Sequence, residues 1–329
     1  MQRLCHGRGY THCKIHLSAR TPMTMLMGRL AGVALELALA ALLLLFLPPY
    51  YVYRFTASFL GSVFPDNVSG KVVLITGASS GIGEHLAYEY AKRGANLALV
   101  ARREASLREV TDNASALGSP SVLVLPADVS KPDDCLKFID DTVAYFGRLD
   151  HLVNNASIWQ VCKFEEVEDV SYFRTLMASK AAALNFYNTL RMELGGDVRI
   201  TEIVPGVVES EITKGKMLTK EGEMKVDQDE RDAILGPTPA EPVAAFAKTA
   251  VKDVCRGERY VFEPRWYLAV YLFRVCFPEI LAWSSRLLTV KTLGRPATTD
   301  TVGRQILDMP GVRWFTQTAS LRSPEIQAR

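Results

Sequence analysis

The hydrophobic and polar positions divide the chain into an apolar N-terminal segment and a longer region in which buried strands alternate with amphipathic helices. Residues 30–47 carry a single charge, that of Glu36. As a helix this segment rises about 27 Å, enough to cross the hydrocarbon core of a bilayer. Pro48-Pro49 and the aromatic group YYVYRF follow it, as at a membrane–water interface. The pattern predicts a membrane anchor over residues 23–55, preceded by a disordered basic extension over residues 1–22.

The anchor fits two topologies. A simple span with its basic end in the cytosol puts the following domain in a lumen, where the sequons at Asn67 and Asn113 are available for glycosylation. A segment that turns at Pro48-Pro49 leaves both of its ends in the cytosol. A cleaved signal peptide is less favoured, because no small-residue cleavage site follows the apolar run.

From residue 71 the pattern changes to a buried strand, KVVLIT, a glycine loop, GASSGIG, an amphipathic helix closed by Gly94, and a second buried strand, NLALVARR. A glycine loop between a strand and a helix is typical of a dinucleotide site. Gly77 makes the tight turn, and Gly81 and Gly83 let the backbone approach a pyrophosphate at the helix N-terminus. The alternative is a structural turn that is merely rich in glycine.

The residues at the end of the second strand favour NADP over NAD. An acidic residue there accepts hydrogen bonds from the ribose of NAD, whereas an arginine suits the 2′-phosphate of NADP. This chain has Arg102 and Arg103, and the alternative is a solvated basic pair. The third and fourth strands end at Asp128 and at Asn154-Asn155. Because ligands of such sheets bind beyond the carboxyl ends of the strands, these polar residues are expected near the cofactor.

Taken in order, the motifs resemble those of the short-chain dehydrogenase/reductase family: TGASSGIG at 76–83, Asp128-Val129, NNA at 154–156, Lys180 in a helix and VPGVVES at 204–210. Within the family the chain is most similar to the plant 11β-hydroxysteroid dehydrogenase-like branch, which includes the steroleosins of oil bodies. The resemblance implies an α/β fold with a Rossmann-like, doubly wound parallel sheet. It implies an NADP-binding domain over residues 66–288 and a C-terminal tail over 289–329.

The resemblance also implies a role for each matching residue. The loop residues Gly77, Ser79, Ser80, Gly81, Ile82 and Gly83 would hold the pyrophosphate. Arg102 and Arg103 would meet the 2′-phosphate, Asp128 and Val129 the adenine, and Asn154 and Ala156 the length of the cofactor. Lys180 would bind the nicotinamide ribose, and Pro205, Gly206, Val208 and Ser210 would contact the nicotinamide end.

The catalytic serine and tyrosine of the family are missing. The tyrosine belongs four residues before Lys180, where this chain has Leu176, and only 24 residues separate Asn155 from Lys180. A helix, a strand and their connections would use nearly all of that length. The pattern instead predicts one helix from Val167 to Met192. We infer an internal deletion near residues 177–178 that leaves Lys180 as the surviving catalytic residue and the sheet one central strand short.

The other tyrosines near the lysine are badly spaced. Tyr172 lies about 12 Å from Lys180 along the helix axis and Tyr187 a similar distance the other way, whereas the spacing of four residues gives about 6 Å. Neither hydroxyl is expected to reach the same oxygen. The strand VRITEIVP (198–205) could slide across to pair with the fourth strand; otherwise backbone groups are left unpaired, and we expect low stability.

Composition excludes several other classes of function. The 38 basic and 36 acidic residues nearly balance, so nucleic acid is not an expected partner. A zinc site formed by Cys5, His6, His12, Cys13 and His16 is disfavoured because the spacing fits no common template, and no metal is predicted. The apolar segment 264–288 is broken by Pro278 and dotted with charges. A helix that covers the core is slightly favoured there over a helix on a membrane surface.

The sequence therefore predicts a membrane-attached, NADP-dependent oxidoreductase of hydroxysteroid dehydrogenase type whose activity has been lost or severely reduced. The expected partners are a lipophilic, sterol-like substrate, a membrane or lipid-droplet surface and a second copy in a homodimer. The expected location is the endoplasmic reticulum or the lipid droplet. A non-catalytic nucleotide-binding scaffold is the rival hypothesis. A third interpretation is a skipped exon, which the genomic DNA between the codons for Met177 and Ala178 would reveal.

Overall fold

A computed structural model describes residues 22–157, 170–195, 197–218, 224–289 and 301–322. The basic extension and its Cys/His cluster, Cys162 and the junction segment 158–169 lie outside the described residues. The chain divides into two compact units, Met1–Phe59 and Leu60–Arg329.

The first unit is dominated by one apolar helix, α1, which runs from Pro22 to Val63 and ends just beyond the unit boundary. The stretch Arg29–Val63 is long and apolar enough to cross a membrane, with a mean hydropathy of 2.6, and none of it is buried. The predicted anchor is therefore confirmed as a candidate membrane span, although it extends beyond residue 55. Pro48 and Pro49 lie inside the helix. Of the two topologies left open, the turn at this proline pair is not seen, because α1 continues through it.

The second unit begins with alternating strands and helices. They are β1 (Val72–Thr76), α2 (Gly81–Ala91), β2 (Asn96–Ala101), α3 (Glu104–Ala116), β3 (Val122–Pro126), α4 (Pro132–Phe146) and β4 (His151–Val153). The strands pair in parallel in the order β3-β2-β1-β4. All five residues of β1 are buried, because helices cover the sheet on both faces, which is why parallel strands read as continuous apolar runs.

The remaining elements begin with the long helix α5 and end with three short C-terminal helices. They are α5 (Val170–Leu194), β5 (Glu202–Pro205), β6 (Lys216–Leu218), β7 (Met224–Val226), α6 (Gln228–Leu235), α7 (Val243–Cys255), β8 (Tyr260–Glu263), α8 (Tyr267–Cys276), α9 (Pro278–Thr289), α10 (Val302–Leu307), α11 (Val312–Thr316) and α12 (Ala319–Arg322). The predicted uninterrupted helix before and after Lys180 is confirmed as α5.

Two apolar clusters hold this unit together. On one face of the sheet, α2, α3 and α7 pack Tyr90, Leu107 and Phe246 against β1 and β2, and all three side chains are almost fully buried. On the other face, Phe138 of α4 packs against Leu74 and its neighbours. The Rossmann-like, doubly wound architecture is confirmed.

The parallel pairing is interrupted after β4. Among the described residues, β4 pairs with β1 and β5 pairs with β8, and the two sheets share no strand. The strand that could have paired with β4, β5, therefore pairs with β8 instead. Leu152, in the middle of β4, is 48% exposed. This is the place where the sequence predicts a missing central strand.

The C-terminal region packs onto α6 instead of forming a separate tail. Thr301 is buried and its hydroxyl donates to the Ala233 carbonyl. The amide of Ala240 donates to the Thr316 carbonyl, and Arg313 pairs with the buried Asp232. Residues 301–322 therefore belong with the domain, which extends past the predicted end at residue 288.

Candidate functional site

The glycine loop at the end of β1 forms one wall of a cleft. Gly77 and Gly81 have φ values of +67° and +62°, in the left-handed region that glycine enters without strain. Ser80 precedes α2 and makes no side-chain capping bond. The first N–H groups of α2 are therefore not capped by that side chain, and together with the helix dipole they favour an anion. Ser79, Ser80 and Gly81 line a cleft of about 580 Å³.

Gly83 has a different role from the one predicted. A Cβ atom on Gly83 would lie 2.3 Å from the Gly77 carbonyl oxygen and 2.5 Å from the Asn155 amide nitrogen. The space in front of Gly83 is therefore filled by the loop itself and by the end of β4. Its lack of a side chain allows α2 to pack closely on the sheet, whereas Gly81 faces Ser210. Ile82 packs against the larger core cluster.

Arg103 connects the glycine loop to the loop after β5. Its guanidinium donates to the Ser80 hydroxyl at 2.7 Å and pairs with the Glu211 carboxylate at 3.0 Å. Partial burial works to raise the pKa of Glu211, but hydrogen bonds from Lys216 and Arg103 outweigh it and the pKa is lowered. Glu211 is therefore ionised near neutral pH and forms an ion pair with Arg103.

Arg102 and Asp128 lie near one another at the ends of β2 and β3. The Asp128 carboxylate accepts a hydrogen bond from the Ser130 amide at 3.0 Å. Hydrogen bonds from Ser130 hold the pKa of Asp128 below its ordinary value, and the positive charge of Arg102 acts in the same direction. Arg102 and Val129 are exposed, so both are accessible to a ligand.

The carboxyl end of β4 is tied to the glycine loop by Asn155. Its side-chain amide donates to the carbonyls of Thr76 and Gly77, and its backbone amide donates to the Thr76 hydroxyl. A Cβ atom on Gly77 would lie 2.8 Å from the Cα atom of Ala156. The structure thus brings Ala156 against the loop.

Asn154 points elsewhere. Its side-chain amide donates to the Tyr187 hydroxyl on α5, at 2.5 Å. This contact joins the open end of β4 to the helix that carries Lys180. The sequence singled out both residues, but it gave no indication that they meet.

The loop after β5 closes the cleft opposite the glycine loop. Pro205 pairs with Glu263 of β8, and the Gly206 amide donates to the Glu263 carbonyl. Val208 is buried and forms a bridge with Glu241. Ser210 lines the cleft beside the glycine loop. Of the predicted nicotinamide contacts, Ser210 therefore faces the glycine loop.

Lys180 lies on an exposed part of α5. Desolvation by the surrounding chain lowers its pKa. Within the described ranges, no hydrogen bond or ion pair links the Lys180 ammonium to another residue. The structure thus does not join Lys180 to the loops that line the cleft.

The residues on both walls fit a dinucleotide phosphate. They supply helix N–H groups without a side-chain cap, serine hydroxyls and an arginine. No group of three or more potential metal ligands occurs among the described residues. The sequence reasoning missed Glu211 and Thr76, whose roles depend on contacts between distant segments. It also missed the pair formed by Glu241 and Glu263, which hydrogen-bond each other beside the loop after β5.

Comparison with known proteins identifies the family. A sequence profile described as short chain dehydrogenase matches residues 71–178. The 11-beta-hydroxysteroid dehydrogenase 1A of Arabidopsis thaliana is 45% identical over 327 residues, which cover 86% of this chain and 93% of the relative. The chain belongs to the short-chain dehydrogenase/reductase family. Its lineage within that family is that of the hydroxysteroid dehydrogenase-like oxidoreductases.

Solved structures of the family agree on the fold. A short-chain dehydrogenase/reductase from Mycobacterium marinum is 20% identical with a TM-score of 0.52, and the match covers 61% of this chain and 96% of that one. L-sorbose reductase from Gluconobacter frateurii, solved in complex with NADPH, is 24% identical with a TM-score of 0.49, over 60% of this chain and 95% of that one.

Proposed function

We propose that this chain is a membrane-attached, NADP(H)-binding member of the hydroxysteroid dehydrogenase type that has lost most or all of its catalytic activity. The observation that carries this proposal is the contrast between two halves of one site. The loops that would hold the dinucleotide face one another across a cleft. The segment that would supply the catalytic serine and tyrosine has too few residues to do so.

Arginine chemistry supports NADP(H) over NAD(H). Arg103 lies across the glycine loop on Ser80, and Arg102 is exposed at the end of β2. A guanidinium binds a phosphate through two parallel hydrogen bonds, whereas the ribose hydroxyl of NAD needs an acceptor. The carboxylate next to Arg103 is that of Glu211. It already accepts from the Arg103 guanidinium and is therefore a poor acceptor for the ribose hydroxyl of NAD. When bound, the cofactor would supply the hydride chemistry of the family.

The comparisons support an internal deletion. The alignment with the Arabidopsis thaliana relative is 327 positions long. It covers only 86% of the 329 residues of this chain, so the aligned part of the chain is shorter than the alignment itself. The relative therefore has aligned positions that this chain lacks. The family profile stops matching at residue 178, beside the junction inferred between Met177 and Ala178. The separation of β4 from β5 is what the loss of an intervening strand would produce.

Lys180 without its partners is a poor catalyst. Reduction of a carbonyl needs a proton donor at the oxygen, and a phenol near an ammonium serves because the positive charge lowers its pKa from about 10. The hydroxyl of Tyr187 accepts from Asn154 and lies on α5 seven residues beyond Lys180. That spacing is about 10 Å along the helix axis. Lys180 can still bind a ribose hydroxyl, but it has no phenol beside it to activate.

Membrane attachment and substrate class follow from α1 and from lineage. The stretch Arg29–Val63 is unburied and apolar, so it requires a non-aqueous environment. The name of the Arabidopsis thaliana relative specifies a hydroxysteroid, and a lipophilic alcohol or ketone would partition into the same membrane. We therefore propose the endoplasmic reticulum or the lipid droplet as the location and a sterol-like compound as the ancestral substrate. A homodimer is the proposed assembly.

Cofactor titration combined with a turnover assay tests the proposal. The full chain, purified in detergent micelles, is titrated with NADPH and with NADH by following nucleotide fluorescence. NADPH consumption is then followed with a steroid ketone present. We expect saturable binding that favours NADPH by at least about tenfold, the value of one charge-assisted contact, and no turnover above the enzyme-free rate. Turnover at a rate typical of dehydrogenases would refute the loss of activity.

A non-catalytic scaffold is the second candidate. It is favoured by the exposed apolar side chains of Leu184, Phe186 and Met192 on α5, which would suit a protein partner in place of the missing strand. The same titration tests both candidates, because the scaffold is also expected to bind nucleotide. A chain that binds neither NADPH nor NADH contradicts both.

A further inference from the structure

The helices α8 and α9 form a bent pair that is unusually apolar for the surface of a soluble domain. They meet at Phe277 and are bent by 119°, and together they are long and apolar enough to pass for a broken membrane span. A helix of ten residues rises only about 15 Å, half of a hydrocarbon core. Neither helix therefore crosses a bilayer alone, but the pair can enter and leave on one side.

Most of this pair is uncovered by the rest of the described structure. No residue of α8 is buried. Val275 and Trp283 are 63% and 65% exposed, and Leu272, Phe273, Phe277 and Ile280 are exposed as well. A contiguous apolar surface of this kind marks an interaction site. A protein partner would cover one face, whereas a helix that is apolar on all sides suits lipid.

The charges and aromatic rings fit a phospholipid surface. Arg265, Arg274 and Arg286 outnumber Glu279 in this segment, and basic side chains at the edge of an interfacial helix attract anionic headgroups. Trp266, Tyr271 and Trp283 supply the amphipathic rings that are enriched at membrane interfaces. The slightly favoured prediction of a core-covering helix is therefore wrong for α8.

The helix α8 packs against the loop that follows β5, at the candidate site. The ring of Tyr267 and the ring of Pro264 fill the space in front of Gly206. The ring of Tyr271 packs on Phe262 of β8, with centroids 5.1 Å apart. Membrane contact at α8 would therefore hold the predicted nicotinamide loop close to the lipid from which a sterol-like compound would come.

We propose that α8 and α9 are a second membrane attachment, inserted into one leaflet of an anionic phospholipid bilayer. The proposal rests on the proposed anchoring by α1 in one respect: a tethered chain meets the bilayer at high effective concentration, so a modest apolar contact suffices. The exposed apolar surface of α8 and α9 is thus proposed to contact lipid and not a second copy of the chain.

Quenching of tryptophan fluorescence by brominated acyl chains tests the proposal. The full chain is reconstituted into vesicles of phosphatidylcholine and phosphatidylserine, and recovery of the chain with floated vesicles is measured first. The chain carrying Trp283→Phe is compared with a matched variant, Trp314→Phe, whose replaced residue is exposed on α11. We expect Trp283→Phe to remove at least a third of the quenchable fluorescence and Trp314→Phe to remove almost none.

A second variant separates insertion of α8 and α9 from anchoring by α1. Leu272→Glu combined with Ile280→Glu changes two exposed side chains, so folding should be retained. We expect the chain to stay with the vesicles through α1 while Trp283 quenching falls several-fold. A chain that floats but shows no quenching at Trp283, or one whose Trp283 is shielded only at high protein concentration, overturns the proposal and leaves α1 intact. A chain that does not float overturns both proposals.

Discussion

Asn154, at the carboxyl end of β4, donates a hydrogen bond to the hydroxyl of Tyr187 on α5. The phenol that reaches the end of β4 is thus engaged with an amide and lies two helical turns beyond Lys180. Proton transfer in the family needs a tyrosine one turn before the lysine. The contact therefore acts as a tie between α5 and an unpaired sheet edge.

Replacing Tyr187 by phenylalanine tests this structural role. Tyr187→Phe should lower the free energy of unfolding by about 1 kcal/mol, the net value of one hydrogen bond, as measured by denaturant unfolding. NADPH oxidation should stay at the enzyme-free rate in both proteins. If the wild-type chain oxidises NADPH and Tyr187→Phe slows it tenfold or more, Tyr187 is a catalytic acid and the assignment is wrong.

Glu211 competes with the cofactor for Arg103. The two side chains are paired at 3.0 Å, and an ionised carboxylate repels the 2′-phosphate of NADP. Glu211→Gln should therefore tighten NADPH binding about fivefold, equivalent to about 1 kcal/mol for a partly exposed ion pair. NADH binding should change little, and Glu109→Gln, on the cleft wall formed by α3, is the control. Weaker NADPH binding by Glu211→Gln would mean that Glu211 positions Arg103 for the phosphate.

Gly83 is predicted to tolerate no side chain. Alanine usually stabilises a helix relative to glycine by roughly 1 kcal/mol. Here the added Cβ would lie 2.3 Å from the Gly77 carbonyl oxygen, so the loop or the helix must move. Gly83→Ala should destabilise the domain by about 2 kcal/mol, within the range for overpacking, and should weaken NADPH binding. Calorimetry and nucleotide titration measure the two effects, and a neutral or stabilising result contradicts the packing described here.

The Glu241–Glu263 pair predicts a pH dependence of stability. Burial and the neighbouring Glu263 raise the pKa of Glu241 to about 7 from an ordinary value of 4.5. Each carboxyl also has a buried oxygen without a partner among the described residues. Between pH 4.5 and about 7 the folded state binds more protons than the unfolded state. The contribution of Glu241 to the free energy of unfolding is therefore complete below pH 4.5 and is lost as the pH rises through about 7.

Unfolding experiments across that pH range check the pair. After allowance for solvent screening, the loss should be about 1–2 kcal/mol, and Glu241→Gln should remove most of it. Glu209→Gln, on the neighbouring loop after β5, should leave it in place. A pH profile that Glu241→Gln does not flatten would show that another group is responsible.

The Rossmann half could be predicted because its signals are local. Continuous apolar runs specify β1 and β2, and the glycine loop between strand and helix specifies the turn. The lack of a second partner strand for β4 among the described residues also agrees with an expectation from chain length. The lone lysine and the separation of β4 from β5 both follow from that single count of residues between Asn155 and Lys180.

Other features depend on contacts that no local pattern encodes. The pairing of Arg103 with Glu211 joins residues more than a hundred positions apart. The polar pattern of the C-terminal region predicts a tail, yet residues 301–322 pack on α6 through Thr301 and Arg313. Pro48-Pro49 predicts a break, but the helix continues through the pair. The apolar character of α8 fits a core helix equally well, and only burial distinguishes the alternatives.

On the proposed function, this chain binds NADP(H) but has no phenol placed to supply the proton that carbonyl reduction requires. The most direct test compares NADPH-dependent reduction of a steroid ketone by two proteins: the chain itself, and a chimera in which the segment of the Arabidopsis thaliana relative that this chain lacks is inserted between Met177 and Ala178. We predict that both bind NADPH, that the chimera turns over, and that the chain does not. Turnover by the unaltered chain that Lys180→Ala abolishes would contradict the account.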